Sequence, residues 1–341
     1  MSAPVAARTL TSTFRSMASD IELRVVDPRP GADAAIERAA ARVEAVARHL
    51  TRFDAGSALS RANASPAAWH EVPVELAAAV DEAARAHRET GGLFDPRVLD
   101  ALLTWGYDRT FAQVTGASLA VDPGGSQDPA ALPGVPDGRG ATARPVPAAP
   151  WQPTVLPGAD GRGLLNLGGT PIDLGGIGKG LAARWAAAEL EGAGASVLVD
   201  AGGDEWLGGP GPDGDGWLVG VEDPFGEDGT DEEPILVLAL TDLGVATSSV
   251  RRRRWRTGEA AVHHLVDPRT GLPGGSGLAQ VTVVHPDPAW AEVWSKTLFL
   301  TGPDEVAAQA EARGLAAAWV TGDGVTCTSS AMDTAVIWRA R

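Results

Sequence analysis

The first hundred residues show one strand-like and two helix-like patterns of apolar side chains. Residues 20–26, D-I-E-L-R-V-V, alternate apolar and polar positions, which predicts a half-buried strand. Residues 33–50 carry apolar side chains at helical spacing, and a second helical pattern runs from about 73 to 90 before a pair of glycines. Glycine adopts the left-handed conformation that ends a helix at little cost. The N-terminal part is therefore predicted to run strand, helix, helix.

Residues from about 113 to 160 have a different composition. The stretch is rich in Pro, Gly, Ala and Asp and holds few large apolar side chains. Such a segment cannot bury enough apolar surface to offset the conformational entropy that is lost when it becomes ordered. We therefore expect a long surface loop or an inserted linker here.

Strand-like patterns dominate the second half. Strands are predicted at 164–167 and 196–200, on either side of a helix at about 179–191. A further helix at about 288–301 precedes a strand-helix-strand tail. Because several strands follow one another without a helix between them, we expect an α+β fold with mixed or antiparallel sheets and flanking helices, in a single domain over residues 1–341. The other predicted strands are 217–221, 235–240, 263–267, 279–284, 316–320 and 335–338.

Composition and charge argue against several classes of function. The chain has 44 acidic and 28 basic residues, and its formal net charge of −16 repels nucleic-acid backbones and anionic membrane surfaces. Cys327 is the one cysteine, so the chain can form neither an internal disulfide nor a cysteine-based zinc cluster. No apolar stretch is long enough to span a membrane, and the first twenty residues lack the apolar core of a signal peptide. We therefore expect a cytoplasmic protein.

One short stretch, I-D-L-G-G-I-G-K-G at 172–180, raises the question of a phosphate site. Its lysine, Lys179, and Lys296 are the only lysines among the 28 basic residues. The Walker pattern fails because Asp173 and Gly180 stand where it requires a glycine and a Ser or Thr, and the glycine spacing also differs from the dinucleotide fingerprint. A helix that begins near Lys179 would still aim free N–H groups at an anion. A tight strand-to-helix turn with an exposed lysine explains the stretch equally well.

Four further stretches could carry chemistry, and each also has an ordinary structural explanation. V-D-A-G-G-D-E at 199–205 is typical of a strand that ends in a turn, and V-A-T-S-S-V-R-R-R-R-W at 245–255 is typical of a solvated charge run. H-H-L-V-D-P-R-T-G at 263–271 offers a histidine for acid-base chemistry, although a His pair is more often structural. Glu292 and Lys296 lie four residues apart, which predicts a salt bridge if that helix face is exposed.

Six stretches, taken together, occur in an order and spacing that cover residues 12 to 320. They resemble the ApbE family of flavin transferases, and the most specific likeness is between D-L-G-G-I-G-K-G at 173–180 and the family signature D-L-G-G-I-A-K-G. Six likenesses in the same order make a chance match improbable. The others are S-A-L-S-R-A-N at 57–63, G-L-F-D-P-R-V at 92–98 with Trp105-Gly106, D-A-G-G-D at 200–204, A-T-S-S at 246–249 and H-L-V-D-P-R-T-G at 264–271.

The resemblance implies a T-fold-like α+β architecture, FAD as the bound flavin and Mg²⁺ as the helper ion. Members of the family cleave the FAD diphosphate and pass FMN to a Ser or Thr hydroxyl of an acceptor protein, with release of AMP, and some hydrolyse FAD to FMN and AMP. The resemblance further implies that His264 or Asp267 assists the nucleophile. The implied FAD contacts are Asp173, Gly175, Gly176 and Lys179 at the diphosphate, and Met17, Ser57, Asp95, Gly202, Gly203, Thr247, Ser248 and Thr270 elsewhere.

The expected metal site departs from the pattern of the family. The family holds Mg²⁺ with a backbone carbonyl before the signature lysine and with an Asp and a Thr four residues apart; here these positions are Gly178, Glu292 and Lys296. An ammonium cannot ligate a cation and does not supply the octahedral oxygen set of Mg²⁺. We hypothesise that Lys296 either takes the place of the metal as a fixed positive charge or turns away and leaves a weakened site. The alternative function is accordingly an FAD-binding protein or a weak FAD pyrophosphatase.

Overall fold

The chain folds around one large antiparallel sheet. The structure is a computed structural model, and it describes residues 7–110, 145–146, 149–226, 233–251, 253–257 and 260–340. Its helices are α1 (Ala32–Leu50), α2 (Ala58–Ala64), α3 (Val74–Glu89), α4 (Leu99–Thr104), α5 (Gly178–Glu189), α6 (Pro288–Thr301), α7 (Val306–Arg313) and α8 (Ser330–Asp333), and a 3₁₀ turn covers Pro96–Val98. Its strands are β1 (Thr9–Ser16), β2 (Ser19–Val26), β3 (His70–Val72), β4 (Thr154–Pro157), β5 (Gly163–Asn166), β6 (Ser196–Ala201), β7 (Glu205–Gly208), β8 (Trp217–Val221), β9 (Leu236–Leu240), β10 (Leu243–Ser249), β11 (Arg254–Thr257), β12 (Ala260–His263), β13 (Val266–Asp267), β14 (Leu272–Pro273), β15 (Leu278–His285), β16 (Ala316–Thr321), β17 (Thr326–Thr328) and β18 (Val336–Arg339).

Eight strands form the main sheet in the order β1-β2-β6-β7-β10-β15-β16-β17, and each neighbouring pair is antiparallel. Successive side chains of a strand point to opposite faces, so β2 buries Ile21, Leu23 and Val25 in the larger apolar core and turns Glu22 to the other face. The predicted α+β class with antiparallel sheets and flanking helices is confirmed.

Helices α1, α3, α5 and α6 cover one face of this sheet and supply the larger apolar core. Val43 of α1, Leu181 of α5 and Phe299 of α6 are fully buried there. Each such side chain contributes about 1.5–3 kcal/mol when it leaves water, so this layer fixes α5 and α6 to the sheet. Helix α6 is buried on most sides and has 14 residues. No helix in the described part of the chain is long and apolar enough to cross a membrane.

The opposite face of the main sheet is covered at its centre by a small sheet of order β18-β9-β8. Leu207 and Val245 of the main sheet pack there against Trp217 and Leu238 of the small sheet. Strand β15 is therefore covered on both faces and is buried along nearly its whole length, as a continuous apolar run indicates. The central strands β10 and β15 are consequently among the most enclosed parts of the fold.

Most predicted elements are confirmed with boundaries that agree within two residues. The predicted strand 263–267 was wrong in one respect, because β12 ends at His263 and β13 begins only at Val266. The predicted N-terminal order also omitted β1, α2 and β3. These elements are short or lack a marked apolar pattern, and they owe their stability to pairing and packing with distant parts of the chain.

The predicted loop from about 113 to 160 was wrong at its C-terminal end. Thr154–Pro157 form β4, which pairs with β5, and Val155 packs against the larger core. Just before β4, Trp151 is buried and its indole N–H donates to Leu167 O at 2.9 Å. Partners outside the segment thus order a stretch that its own composition marks as a loop. Residues 113–144 and 147–148 of the predicted loop lie outside the described residues.

Helices α5 and α6 approach each other closely at Gly180. A Cβ atom at this position would lie 2.6 Å from Ala289 Cα and 2.6 Å from Pro288 O, both backbone atoms of α6. The same approach lets the Gly180 N–H donate to Glu292 Oε2 at 2.8 Å. Glycine is therefore required at position 180 for the distance between the two helices.

We predict that Gly180→Ala destabilises the protein by about 1–3 kcal/mol, because the added methyl group must push α5 and α6 apart. Gly178→Ala is the matched control, since it lies in the same helix turn and a Cβ there meets no atom within 4 Å. Urea unfolding measures both free energies of unfolding. Equal values for the two variants would contradict the close approach.

Candidate functional site

The glycine-rich motif forms a tight loop directly before α5. Asp173 Oδ1 accepts a hydrogen bond from the Gly175 N–H at 2.8 Å, and the Gly178 N–H donates to Leu174 O at 2.9 Å. Helix α5 begins at Gly178, so Lys179 lies in its first turn. The helix dipole favours an anion at such a position. The N–H groups of Gly175 and Gly178, however, already donate to protein acceptors.

Two side chains from the N-terminal part of the chain hold this loop in place. Arg52 is almost fully buried and donates from Nε to Asp173 Oδ2 at 2.6 Å and from Nη1 to Tyr107 O at 2.7 Å. Asn63 donates to Ile172 O at 2.8 Å and accepts from the Ile172 N–H at 2.9 Å. Protein donors thus engage both oxygens of the Asp173 carboxylate, which positions the loop in this structure rather than facing a ligand.

The ammonium of Lys179 forms an ion pair with Asp204, which lies in the turn between β6 and β7. Asp204 is only 2% exposed, so its charge depends on this partner. In the same turn the Gly203 N–H donates to Asp200 Oδ1 at 2.7 Å. The D-L-G-G and A-G-G-D motifs, which are separate in sequence, therefore meet at the N-terminal end of α5.

Helix α6 brings Glu292 and Lys296 to the same loop. Glu292 is buried, and its Oε2 accepts the hydrogen bond from Gly180. Burial, followed by the nearby charge of Asp204, raises the pKa of the Glu292 carboxyl to about 8. The Lys296 side chain lies against Gly176, where a Cβ atom would stand 2.7 Å from Lys296 Nζ. Glycine at 176 therefore makes room for the ammonium.

His264 and Asp267 both follow β12, but their side chains differ in how many hydrogen bonds they form with the protein. Asp267 accepts from the Arg269 guanidinium at 3.0 Å on Oδ1 and 2.8 Å on Oδ2, and from the Arg269 N–H at 2.8 Å. The half-buried imidazole of His264 has Nδ1 3.4 Å from Arg253 O. Burial, with the charges of Arg253 and Lys296, lowers the pKa of His264 well below its usual value. The His264 ring is therefore a neutral, weak base at pH 7, whereas the Arg269 guanidinium occupies both oxygens of the Asp267 carboxylate.

Two expected FAD contacts, Ser57 and Asp95, make local hydrogen bonds. Ser57 caps α2 by accepting from the Ser60 N–H at 2.9 Å, and its hydroxyl donates to Thr51 O at 2.6 Å. Asp95 binds the Arg97 guanidinium at 3.0 Å from Nε and 2.6 Å from Nη2. The second D-P-R sequence repeats this arrangement at 267–269. Both side chains are buried and committed to protein partners.

Thr247 and Ser248, on β10, point to opposite faces of the main sheet. Thr247 is exposed, and its hydroxyl lies 2.9 Å from that of Thr282 on β15. Ser248 is buried, and its Oγ lies 3.0 Å from Ser295 Oγ on α6. Ser248 therefore connects the sheet to the helix that carries Glu292.

The remaining expected contacts lie in turns. Met17 is half-buried between β1 and β2, and Gly202 lies between β6 and β7, packed against the Ser19 side chain. Thr270 is exposed on the turn after Asp267, where its hydroxyl accepts from the Leu272 N–H at 3.2 Å. The first two turns are neighbours in space because β2 pairs with β6.

Sequence reasoning did not assign a role to three residues that organise the site, namely Arg52, Asn63 and Asp204. Asn63 and Asp204 stand inside stretches that resemble family motifs, so their motif positions could have identified them. Arg52 has no such mark, because its importance comes from a partner 121 positions away in the chain. Pairing over that distance leaves no local pattern in the sequence.

The side chains around the loop do not fit a magnesium site. Asp173 is bound by Arg52, and Asp204 and Glu292 are bound by Lys179 and the Gly180 N–H. Over the described residues, no group of three or more His, Cys, Asp and Glu side chains is placed to hold a metal ion. Mg²⁺ requires near-octahedral oxygen ligands, and the Lys296 ammonium supplies a positive charge instead.

The residues described above define a class of protein: an α+β chain in which a glycine loop precedes a helix that carries Lys179, and Lys296 of a neighbouring helix packs against that loop. The sequence model of the ApbE family matches residues 17–319. The chain therefore belongs to the ApbE family, as its motifs predicted.

Two FAD:protein FMN transferases are similar in sequence to part of this chain. An FAD:protein FMN transferase of Escherichia coli (strain K12) is 33% identical over 159 residues, which cover 45% of this chain and 43% of that protein. Another FAD:protein FMN transferase, from Treponema pallidum, is 31% identical over 86 residues, or 25% of this chain and 23% of that protein. The chain thus matches less than half of the length of these relatives.

Solved structures share the whole fold. The ApbE protein of Thermotoga maritima has a TM-score of 0.72 and 23% identity, and the match covers 96% of this chain and 99% of that chain. The apo form of the flavinyl transferase ApbE of Pseudomonas stutzeri has a TM-score of 0.70 and 21% identity, with 98% and 100% covered. These likenesses confirm the ApbE-like architecture.

Three carboxylates lie side by side on the main sheet, next to the turn that holds Asp204. Glu22 of β2 is opposite Asp200 of β6, and Asp200 is opposite Glu205 of β7. Burial, followed by the charges of Asp200 and Asp204, raises the pKa of Glu205 to about 8. At neutral pH the folded protein therefore holds a proton on Glu205 that the unfolded chain has lost.

We predict that Lys179→Met destabilises the protein by about 3–5 kcal/mol, because it leaves the buried Asp204 carboxylate without its partner. The double variant Lys179→Met with Asp204→Asn removes both charges and should recover most of that loss. Chemical denaturation of the two variants and the wild type measures the difference. Equal destabilisation of the single and double variants would show that the ion pair is not what Asp204 depends on.

Glu205→Gln should flatten the pH dependence of stability. The wild-type free energy of unfolding is expected to fall as pH rises from about 5 to about 8, because only the folded state keeps the Glu205 proton. The variant should lose less, by up to about 1.4 kcal/mol per pH unit. Urea unfolding over this pH range tests it, with the exposed Glu37→Gln as control. Parallel curves for Glu205→Gln and wild type would contradict the raised pKa.

Proposed function

We propose that the protein is an FAD:protein FMN transferase, which moves FMN from FAD to a Ser or Thr hydroxyl of an acceptor protein and releases AMP. The observation that carries the proposal is that Lys179 lies in the first turn of α5 and Lys296 packs against the glycine loop just before it, with His264 within electrostatic range of Lys296. Membership of the ApbE family and the curated relatives named FAD:protein FMN transferase support it.

The loop offers the FAD diphosphate several positive groups. A diphosphate is anionic, and backbone N–H groups at a helix N-terminus favour such a ligand. We assign the contacts to the Gly176 backbone, to the ammonium of Lys296 and to the ammonium of Lys179, which also pairs with Asp204. The Gly175 N–H is engaged by Asp173, so Gly175 is proposed to shape the loop. Asp173 supports this loop through Arg52. The turns that carry Met17, Gly202 and Gly203, together with Ser57, Asp95, Thr247, Ser248 and Thr270, are proposed to shape the rest of the FAD cleft.

Transfer needs a nucleophile, a proton acceptor and a stabilised leaving group. In the proposed step the acceptor hydroxyl oxygen attacks the phosphorus that carries FMN, and the bond from that phosphorus to the bridging oxygen breaks. AMP leaves with the electron pair of that bond, and the hydroxyl proton passes to His264. We assign this role to His264 rather than to Asp267 because Arg269 occupies the Asp267 carboxylate. The family's Mg²⁺ has no fitting ligand set here, so no step depends on it.

A second candidate function, FAD binding with slow hydrolysis to FMN and AMP, is favoured by one observation. The pKa of His264 lies well below its usual value, and so weak a base removes a proton slowly from an alcohol and from water alike, which favours slow turnover over efficient transfer. Water would then replace the acceptor hydroxyl in the same step. A flavoprotein acceptor with a Ser or Thr target and a location in the cytoplasm stay predictions.

Purified protein incubated with FAD is expected to release AMP, which chromatography measures. Mass spectrometry of added Ser- and Thr-containing proteins should show the mass of FMN on a hydroxyl side chain. AMP together with free FMN and no modified protein would support the pyrophosphatase instead. FAD that stays bound and intact would contradict both enzymatic functions and leave an FAD-binding protein.

His264→Asn should slow AMP release about 100-fold or more, because the proton acceptor is lost, while FAD affinity changes little. His70→Asn, on a histidine that belongs to β3, is the control and should keep the wild-type rate. Steady-state AMP release and FAD fluorescence titrations report the two quantities separately. An unchanged rate in His264→Asn would contradict the assigned role.

A further inference from the structure

The carboxylates near the α5 N-terminus are already matched by protein groups. Arg52 holds Asp173, Lys179 holds Asp204, and the Gly180 N–H holds Glu292. A divalent cation at this place would have to compete with each of these partners for an oxygen ligand. It would also have to lie beside an ammonium, which repels it.

Lys296, by contrast, has a charge without a matching anion. In the part of the chain that the structure describes, no side chain or carbonyl forms an ion pair or hydrogen bond with its ammonium. Burial lowers the pKa of Lys296, the more distant charges of Asp173 and Glu292 act against this shift, and the positive charge of Arg253 adds to it. The ammonium lies against the Gly176 backbone, inside the loop that precedes α5. This arrangement leaves its N–H donors free for an anionic ligand.

The position of Lys296 is fixed by packing. It lies on α6 one turn after Glu292, and the neighbouring residues Ser295 and Thr297 are buried. Because Gly176 has no side chain, the lysine stem can reach across the loop, where any Cβ would meet its last three heavy atoms at 2.7–3.4 Å. The helix and the glycine together therefore aim the ammonium at the loop rather than at bulk solvent.

We propose that Lys296 binds the diphosphate of FAD directly and that this chain needs no divalent cation to bind or to cleave FAD. The inference rests on the proposed function for the identity of the ligand. A lysine ammonium is a compact point charge that forms charge-assisted hydrogen bonds with phosphate oxygens. In the transfer step the Lys296 ammonium neutralises the negative charge that builds up on the departing AMP oxygen. No further proton or metal ion is then needed to stabilise the leaving group.

The test compares FAD binding in EDTA with binding in excess MgCl₂, by titration of flavin fluorescence. Wild-type affinity should be the same in both buffers. Lys296→Met, which keeps an unbranched side chain only one atom shorter and removes its charge, should weaken FAD binding in EDTA by about 10-fold or more. Arg38→Met is the matched control, since Arg38 is exposed and pairs with Glu189 at the far end of α5. It should bind FAD as the wild type does.

A second ligand separates phosphate recognition from damage to the fold. Riboflavin has no phosphate, so Lys296→Met should lose far less affinity for riboflavin than for FAD. The dependence of FAD affinity on salt should also be weaker in Lys296→Met than in wild type, because an ion pair has been removed. Equal losses for riboflavin and FAD would overturn the assigned contact.

Wild-type binding that requires Mg²⁺, or Lys296→Met binding FAD in EDTA as tightly as wild type, would overturn the inference. AMP release measured on the same samples keeps the two proposals distinct. Lys296-dependent binding in EDTA without AMP release contradicts the transferase and leaves the Lys296 contact standing. AMP release that stops in EDTA and returns with Mg²⁺ contradicts the inference and leaves the transferase standing.

Discussion

The close approach of α5 to α6 at Gly180 is the constraint on which the site depends. Because no side chain separates the helices there, the first turn of α5 can donate a backbone hydrogen bond to Glu292. One turn further along α6, Lys296 then reaches over Gly176. The packing that brings the helices together is apolar, and it would exist without the charges. Helix packing therefore determines where the charged groups meet, and their chemistry follows from that placement.

The electrostatic potential at the loop depends on which of its charged side chains are paired with protein groups. Three acidic side chains have protein partners, and the ammonium of Lys296 has none among the described residues. Added to the N-terminal end of α5, this leaves the loop able to attract an anion although the whole chain is strongly acidic. The net charge of a protein governs its solubility and its long-range attraction to charged partners. The electrostatic potential inside a cleft depends instead on the few groups that line it.

The sequence predicted what local patterns can encode. Helices α1 and α6, the strand before the glycine pair at 202–203 and the helix that begins near Lys179 all appear in the structure. Strand β4 and the engagement of Asp173 by Arg52 could not be predicted, because each depends on a partner far away in the chain. The spacing of Glu292 and Lys296 allowed an ordinary surface salt bridge. Their helix face is instead packed against α5 and the main sheet, which only the tertiary fold decides.

In the proposed complex, protein cations alone bind the diphosphate at this loop. The most direct measurement is a crystal structure of the complex with FAD, grown in the presence of Mg²⁺. We expect Lys296 Nζ within hydrogen-bonding distance of a diphosphate oxygen, about 2.7–2.9 Å, with no metal ion between them. A magnesium ion bound to the diphosphate and to Glu292, with Lys296 turned away, would contradict it.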